Sequence, residues 1–327
     1  MDTIVGDELD GRLYTDLSNL RGESPLTPIS RFYIRSRASH LLPPAEDWNI
    51  RVRSGRRSFF LAAAALVRAA KPMGAHVLEC AGNTRAAHFG MIGATDWTGV
   101  SVADVLDEFQ ITGNVLVSGF DVYREASRSS SAGASWIFPD YSLRQSAAFF
   151  ATHMGSQPLT RDHGAPVRLV VPGWYGCCCI KWVNAIEESG EKMRATSQMI
   201  EYAQRTNQAG VPRLASEYRP ASIDLAAMPV RVEKWRIGGQ VQYRIVGVAW
   251  GGAAPVKSLL ISFGPDDQYV PVVQVQPAAG FRAIWSHWWK PLHRGVYQIQ
   301  LRPSDASIQA RRMNPGYYTR LVEISEN

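Results

Sequence analysis

The hydrophobic pattern changes period along the chain, and that change limits the fold more than any other feature. From about residue 226 onward apolar and polar residues alternate in short runs, at 241–245, in part of 256–262 and at 297–301. Gly238-Gly239, Gly251-Gly252 and Gly264-Pro265-Asp266-Asp267 punctuate them as turns. Short strands separated in this way predict a β-sandwich over residues 226–327. The boundary is expected in the proline-containing stretch 212–229, where irregular composition gives way to alternation. A length of 327 residues fits two such units, 1–225 and 226–327, each able to bury a core.

The first unit mixes both periods. Residues 58–68 are rich in helix formers and precede an apolar run at 76–80 that ends in a Gly-Asn turn. Ser101 and Asp104 form a capping signature before Val102, Val105, Leu106 and Phe109 at helical spacing. Residues 114–118 and 167–171 read as short buried strands, so the class is α+β rather than a regular βαβ alternation. The small-residue run 127–135 is expected to be a surface loop.

Charge divides as unevenly as period. Residues 1–225 hold 23 Lys+Arg and 23 Asp+Glu, and residues 226–327 hold 12 and 6, so the whole formal excess of +6 lies in the last third. That surface could steer an acidic partner or an anion, or be only a solvated face. No basic run or recognition motif supports nucleic-acid binding. Without 18 consecutive apolar residues no membrane span is expected, and the acidic N-terminus does not read as an export signal. The compartment stays open: a bacterial cytoplasm, or a periplasm if a signal was removed.

Four cysteines remain to be placed, Cys80 and the consecutive Cys177, Cys178 and Cys179. Their spacing suits neither a disulfide framework nor a structural zinc site. Cys80 ends an apolar run beside Gly82, Asn83 and Arg85, where a cation would favour the thiolate, the form that binds soft metals. A buried apolar filler is the other reading. Arg161, His163, Arg168 and Lys181 flank one short strand and could bind phosphate or another oxyanion, or tie loops together. A Cys80 nucleophile with His163 as base is a competing idea, but no thiol-hydrolase signature surrounds either residue.

Six ordered segments carry a resemblance over nearly the whole chain: residues 24–38, 78–86 with Cys80-Ala81-Gly82-Asn83, 96–107, 155–177 with Arg161-Asp162-His163-Gly164, 180–188, and 246–253. The chain resembles the sulfite oxidase family, a molybdopterin domain followed by an immunoglobulin-like dimerisation domain. The resemblance implies molybdenum held by one molybdopterin and the Cys80 thiolate, with Arg35 and Arg85 in the substrate-binding arginine positions. It places Tyr202 as the active-site phenol, able to hydrogen-bond an oxygen ligand of the metal. His163, Arg168 and Lys181 match the pterin-phosphate contacts, with backbone from Cys179 and Ile180. Asp121 matches an acidic pterin contact, and Cys177 and Cys178 are expected to pack near the cofactor.

Three departures accompany the match. Arg35-Ser36-Arg37 stands where the family has Arg-Asn-His, so Arg37 would replace an imidazole on the pterin. Thr84-Arg85 stands where the family has two arginines, and the family's C-terminal anion-site arginine would fall at Arg311 or Arg312. They bear on the substrate rather than on the cofactor. The expected activity is oxidation of sulfite or a related sulfur oxyanion by oxygen-atom transfer. With no haem motif in the sequence, electrons would pass to an external acceptor such as a c-type cytochrome, and the protein would be a homodimer. The alternatives are an S-oxide reductase or other sulfur-compound dehydrogenase on the same cofactor, and a non-catalytic molybdopterin carrier.

Overall fold

In the computed structural model, strands dominate and helices are short: Ala63–Ala69 and Val102–Glu108, the longest described, have seven residues each. The described residues are 11–20, 25–36, 42–83, 89–120, 134–252, 258–264, 267–308, 310–314 and 317–325. Arg37, Arg85, Asp121 and most of the run 127–135 lie outside them.

Two five-stranded sheets build the first part of the chain. One runs Gln157–Pro158, Phe149–Met154, Ile92–Ser101, Lys71–Glu79, with Arg168–Val170 also pairing to Phe149–Met154. The other runs Arg57–Ala62, Asn49–Ser54, Val183–Ser189, Asn114–Gly119, Ser135–Pro139. Its one parallel pairing joins Val183–Ser189 to Asn49–Ser54. The strands expected at 114–118 and 167–171 are present as Asn114–Gly119 and Arg168–Val170. Ser101 caps the helix Val102–Glu108, its hydroxyl accepting the Asp104 N–H at 3.4 Å.

The helix expected across 58–68 needs correction. Its first half is the strand Arg57–Ala62, paired residue by residue with Asn49–Ser54, and only Ala63–Ala69 is helical. Gly55, at φ +56°, closes the hairpin. Phe59 and Phe60 follow the preference of aromatic residues for a pleated surface, so cross-strand pairing overrides the helix propensity of the alanines beside them.

Residues 226–324 form two four-stranded antiparallel sheets. One is Ala226–Ile237, Gln240–Trp250, Ala283–Trp289, Gln274–Gln276, and the other is Val270–Pro271, Leu259–Ser262, Gly295–Pro303, Arg320–Ile324. Ile245, Ala249 and Trp285 of the first meet Leu259, Ile261, Ile299 and Leu301 of the second in one core, so the two sheets make a sandwich. Gln240–Trp250 loses its alternation toward its C-terminal end, where every residue is buried. That end lies against the first part of the chain: Val248 and Trp250 belong to the larger core formed there.

Candidate active site

Cys80 follows the last residue of the strand Lys71–Glu79, and the loop after it is closed by a dense set of bonds. The Cys80 N–H donates to the Met91 carbonyl at 2.9 Å, and the Asn83 N–H returns to the Cys80 carbonyl at 2.9 Å. The Asn83 amide oxygen accepts the N–H groups of Gly90 and Met91 at 3.1 and 3.2 Å. The half-buried thiol accepts the Gly82 N–H at 3.4 Å. Burial pushes the Cys80 thiol up, against the opposing influence of that N–H and of Arg35 and Arg205. A metal cation would add to these and favour the thiolate.

Glu79, 1% exposed, accepts bonds from Trp250 Nε1 at 2.8 Å and Asn83 Nδ2 at 3.1 Å, with the Tyr318 hydroxyl 2.8 Å from Oε1. Burial raises its pKa. Tyr318 also lies 2.8 Å from the Asn83 carbonyl. One hydroxyl hydrogen serves one acceptor, so Tyr318 donates to Glu79 or to the Asn83 carbonyl at any one time.

A cationic wall faces the thiol. Arg35 lies on the strand Ile34–Ser36. His163 ends the turn Arg161–His163, its Nδ1 held 2.7 Å from the Thr160 hydroxyl and its buried Nε2 making no hydrogen bond of normal geometry among the described residues. Burial, then the charges of Lys181 and Arg168, depress His163 to about 3, so the ring is neutral. Arg168 is buried, donates to the carbonyls of His163 and Cys179 at 3.0 and 3.2 Å, and stacks over Trp97. Among the described residues its Nε has no hydrogen-bond partner and it makes no ion pair. Lys181 Nζ donates to the Arg35 carbonyl at 3.1 Å and to the Asp162 carbonyl. Gly119 lets this segment approach, since a Cβ there would fall 2.2 Å from the Lys181 carbonyl oxygen.

Tyr202 ends the helix Ser197–Tyr202, whose start is capped by the Thr196 hydroxyl accepting the Met199 N–H at 3.2 Å. Gln198 on the same helix donates to the Cys177 carbonyl at 2.5 Å. Burial raises the Tyr202 phenol, which keeps it a hydrogen-bond donor.

One cavity, open to solvent, collects these groups. Arg35, Cys80, His163, Arg168, Cys179, Ile180, Lys181 and Tyr202 all line it. Cys177 reaches it, while Cys178 is fully buried behind, 3.9 Å from it sulfur to sulfur. Burial lifts Cys179 to about 11, so its part is structural: its sulfur accepts the Val171 N–H and its carbonyl accepts Arg168. Sequence reasoning missed Tyr33, Trp182, Gln198 and Glu201, which also line the cavity. Tyr33 and Trp182 carried a signal, as neighbours of Arg35 and Lys181. Arg311 and Arg312 do not line it: Arg311 pairs with Asp224 at 2.7 Å, and Arg312 lies behind the Cys80 loop.

Comparison with known proteins gives this arrangement a family. Residues 39–197 match the oxidoreductase molybdopterin binding domain. The mitochondrial sulfite oxidase of Drosophila melanogaster is 24% identical over 332 residues, covering 91% of this chain and 56% of that protein. The sulfite oxidase of Gallus gallus is 28% identical over 72% of this chain and 55% of its own length. The chain carries the molybdopterin binding domain and is similar to the sulfite oxidases along most of its length. It spans little more than half the length of these two relatives. The fold agrees: the sulfane dehydrogenase SoxCD from Paracoccus pantotrophus superposes with a TM-score of 0.71, at 17% identity, over 100% of this chain and 90% of that one.

The sulfite oxidase family cofactor is molybdenum bound by molybdopterin, and the cavity's donors fit it. A buried arginine without a carboxylate among the described residues and a neutral imidazole suit a phosphate, and a thiol at the strand end suits a soft metal. Of the cavity-lining side chains among the described residues, three are cations and only Glu201 is a carboxylate.

Proposed function

We propose that this protein, as a member of the sulfite oxidase family, oxidises sulfite or a related sulfur oxyanion by oxygen-atom transfer and passes the electrons to an external acceptor. The observation that carries the reading is the meeting of Cys80 with Arg35, Arg168 and Lys181 in one cavity, a thiol facing concentrated positive charge. Molybdopterin, when bound, supplies the metal for oxygen-atom and two-electron chemistry. Cys80 is the protein's ligand to that metal. His163, Arg168 and Lys181 hold the cofactor's phosphate end, with the backbone of Cys179 and Ile180, and by family resemblance Arg37 and Asp121 contact the pterin.

Arg35, with Arg85 by resemblance, draws in and orients the anion. Its guanidinium offers a planar pair of donors that matches the geometry of an oxyanion. Tyr202 keeps its proton and donates a hydrogen bond into the reaction space. These groups act by preorganised charge and position, while the redox chemistry belongs to the cofactor. We assign residues 1–225 to the cofactor domain and 226–327 to an immunoglobulin-like dimerisation domain, whose basic excess suits an acidic acceptor such as a c-type cytochrome.

Sulfite-dependent reduction of ferricyanide by molybdenum-loaded protein is the test. Turnover with a sulfoxide and reduced dye but none with sulfite would assign the site to S-oxide reduction. Cofactor uptake with no turnover, unaltered by Cys80→Ser, would make the protein a carrier.

A further inference from the structure

The loop that carries Cys80 is gripped by residues far away in the chain that do not themselves line the cavity. Arg312, 3% exposed, donates to the carbonyls of Asn83 at 3.3 Å and of Ala81 and Arg205 at 3.4 Å. The rings of Tyr175 and Tyr317 lie 5.4 and 5.1 Å from its guanidinium carbon. On the other side of the cysteine, Glu79 takes the bonds from Trp250 and Tyr318. Tyr318 also bonds the Asn83 carbonyl. The residues immediately before and after Cys80, and Asn83 beyond, are thus each bonded by a side chain from the last third of the chain.

We infer that Arg312 and Glu79 are positioning residues that set the direction in which the Cys80 thiolate meets the metal. The inference rests on the proposed role of Cys80 as metal ligand. Bonds from a guanidinium are about twice as strong as neutral ones and cost little reorganisation when the donor is buried and stacked. Two carbonyls fixed on one side and a carboxyl fixed on the other leave the peptide planes around Cys80 little freedom. Metal–thiolate bonding depends on that orientation, and groups behind the ligands commonly tune a site in this way. The last third of the chain thereby acts on the cofactor's chemistry, although none of its described residues lines the cavity. The arginine that family resemblance would put on the substrate anion acts here on the ligand loop.

The test compares full-length Arg312→Gln, Arg312→Lys and Tyr318→Phe with the wild type after loading with molybdenum cofactor. Molybdenum content, the thiolate-to-metal absorption band, the electron paramagnetic resonance of the metal, and kcat and KM with sulfite are all measured. Arg312→Gln, at a metal content within about twofold of wild type, should shift both spectra and lower kcat at least about tenfold, with KM changed less than about twofold. Arg312→Lys should recover part of the spectral shift, and Tyr318→Phe should give a smaller shift in the same signals. Lower thermal stability with wild-type spectra and kcat would overturn the inference and leave a plain structural pin. If the Arg312 variants fail to fold, Tyr318→Phe decides it by the same spectra, because it removes only the hydroxyl that faces Glu79 and Asn83. A wild-type protein that takes up neither molybdenum nor pterin would defeat the parent reading and the inference with it. A loaded wild type with spectrally silent variants defeats the inference alone.

Discussion

Nη1 of Arg168 lies 3.0 Å from the carbonyl oxygen of His163, and that bond ties two anion-binding groups to one wall of the cavity. With its other bonds going only to neutral carbonyls, Arg168 is a buried cation without an ionised partner among the described residues. Such a charge is costly unless an anion arrives. Arg168→Met should therefore leave the cofactor-free protein folded while weakening cofactor retention. A charge-assisted hydrogen bond contributes roughly 1.5–3 kcal/mol, or about 10- to 150-fold in affinity. Molybdenum and pterin content after gel filtration checks this, and a variant that retains both at wild-type levels would remove Arg168 from the site.

His163 gives the cofactor-free protein a predictable acid sensitivity. Its folded pKa of about 3 lies below the value near 6.5 of an unfolded histidine. Above pH 6.5 the ring is neutral in both states, and its contribution to stability is fully present. As pH falls, the unfolded state takes up a proton that the folded state refuses, so stability is lost progressively toward pH 3, by about 2 kcal/mol at pH 5. His163→Gln should remove that share of the acid loss. Urea unfolding at pH 7.5 and pH 5 measures it, and parallel losses in wild type and variant would contradict it.

Much of this site was legible in the sequence because its chemistry sits at ends of apolar runs. Cys80 terminates a strand and Arg168 opens one, and both positions can be read from local pattern. What the pattern hides is contact across sequence distance. Arg312 reaches Asn83 across 229 residues, so nothing near position 312 signals that the side chain serves the Cys80 loop. The hairpin at 49–62 was obscured for a related reason. Its strand character comes from pairing with a neighbour, whereas the alanines that follow Leu61 advertise a helix locally. Glu201 went unread because a carboxylate on a cationic wall has meaning only once the wall is assembled.

Arg35 should govern substrate capture rather than the chemical step. It lines the cavity from a short strand, and the Lys181 ammonium bonds its carbonyl, leaving the backbone there well held. Arg35→Met removes the charge and the paired donors while keeping most of the side-chain length. KM for sulfite should rise roughly 10- to 100-fold, as loss of a charged hydrogen bond implies, with kcat changed much less. Raised ionic strength should increase wild-type KM more than that of the variant. A fall in kcat at constant KM would place Arg35 on the reaction itself.

Trp285 and Gly247 are directly opposite on neighbouring strands of the sandwich, and the indole occupies the space a side chain at 247 would need. A Cβ on Gly247 would fall 2.2 Å from the Trp285 ring and 2.5 Å from the Met228 carbonyl oxygen. Trp285 cannot swing away, because it is 1% exposed and its Nε1 donates to the Val248 carbonyl at 3.2 Å. Overpacking a filled core costs about 1–3 kcal/mol, and the Met228 backbone gives way less readily than a side chain, which puts Gly247→Ala at or above the upper end. Gly190→Ala is the control: a Cβ there meets nothing within 4 Å, and the change should stay within about 0.5 kcal/mol. Gly247→Ala combined with Trp285→Leu should cost less than the sum of the two single variants, since residues in contact couple where distant ones add. Urea unfolding of five proteins, the wild type, the three single variants Gly247→Ala, Gly190→Ala and Trp285→Leu, and the double variant, reads all three expectations. Strict additivity in the double variant would mean that the indole is not what excludes the methyl group.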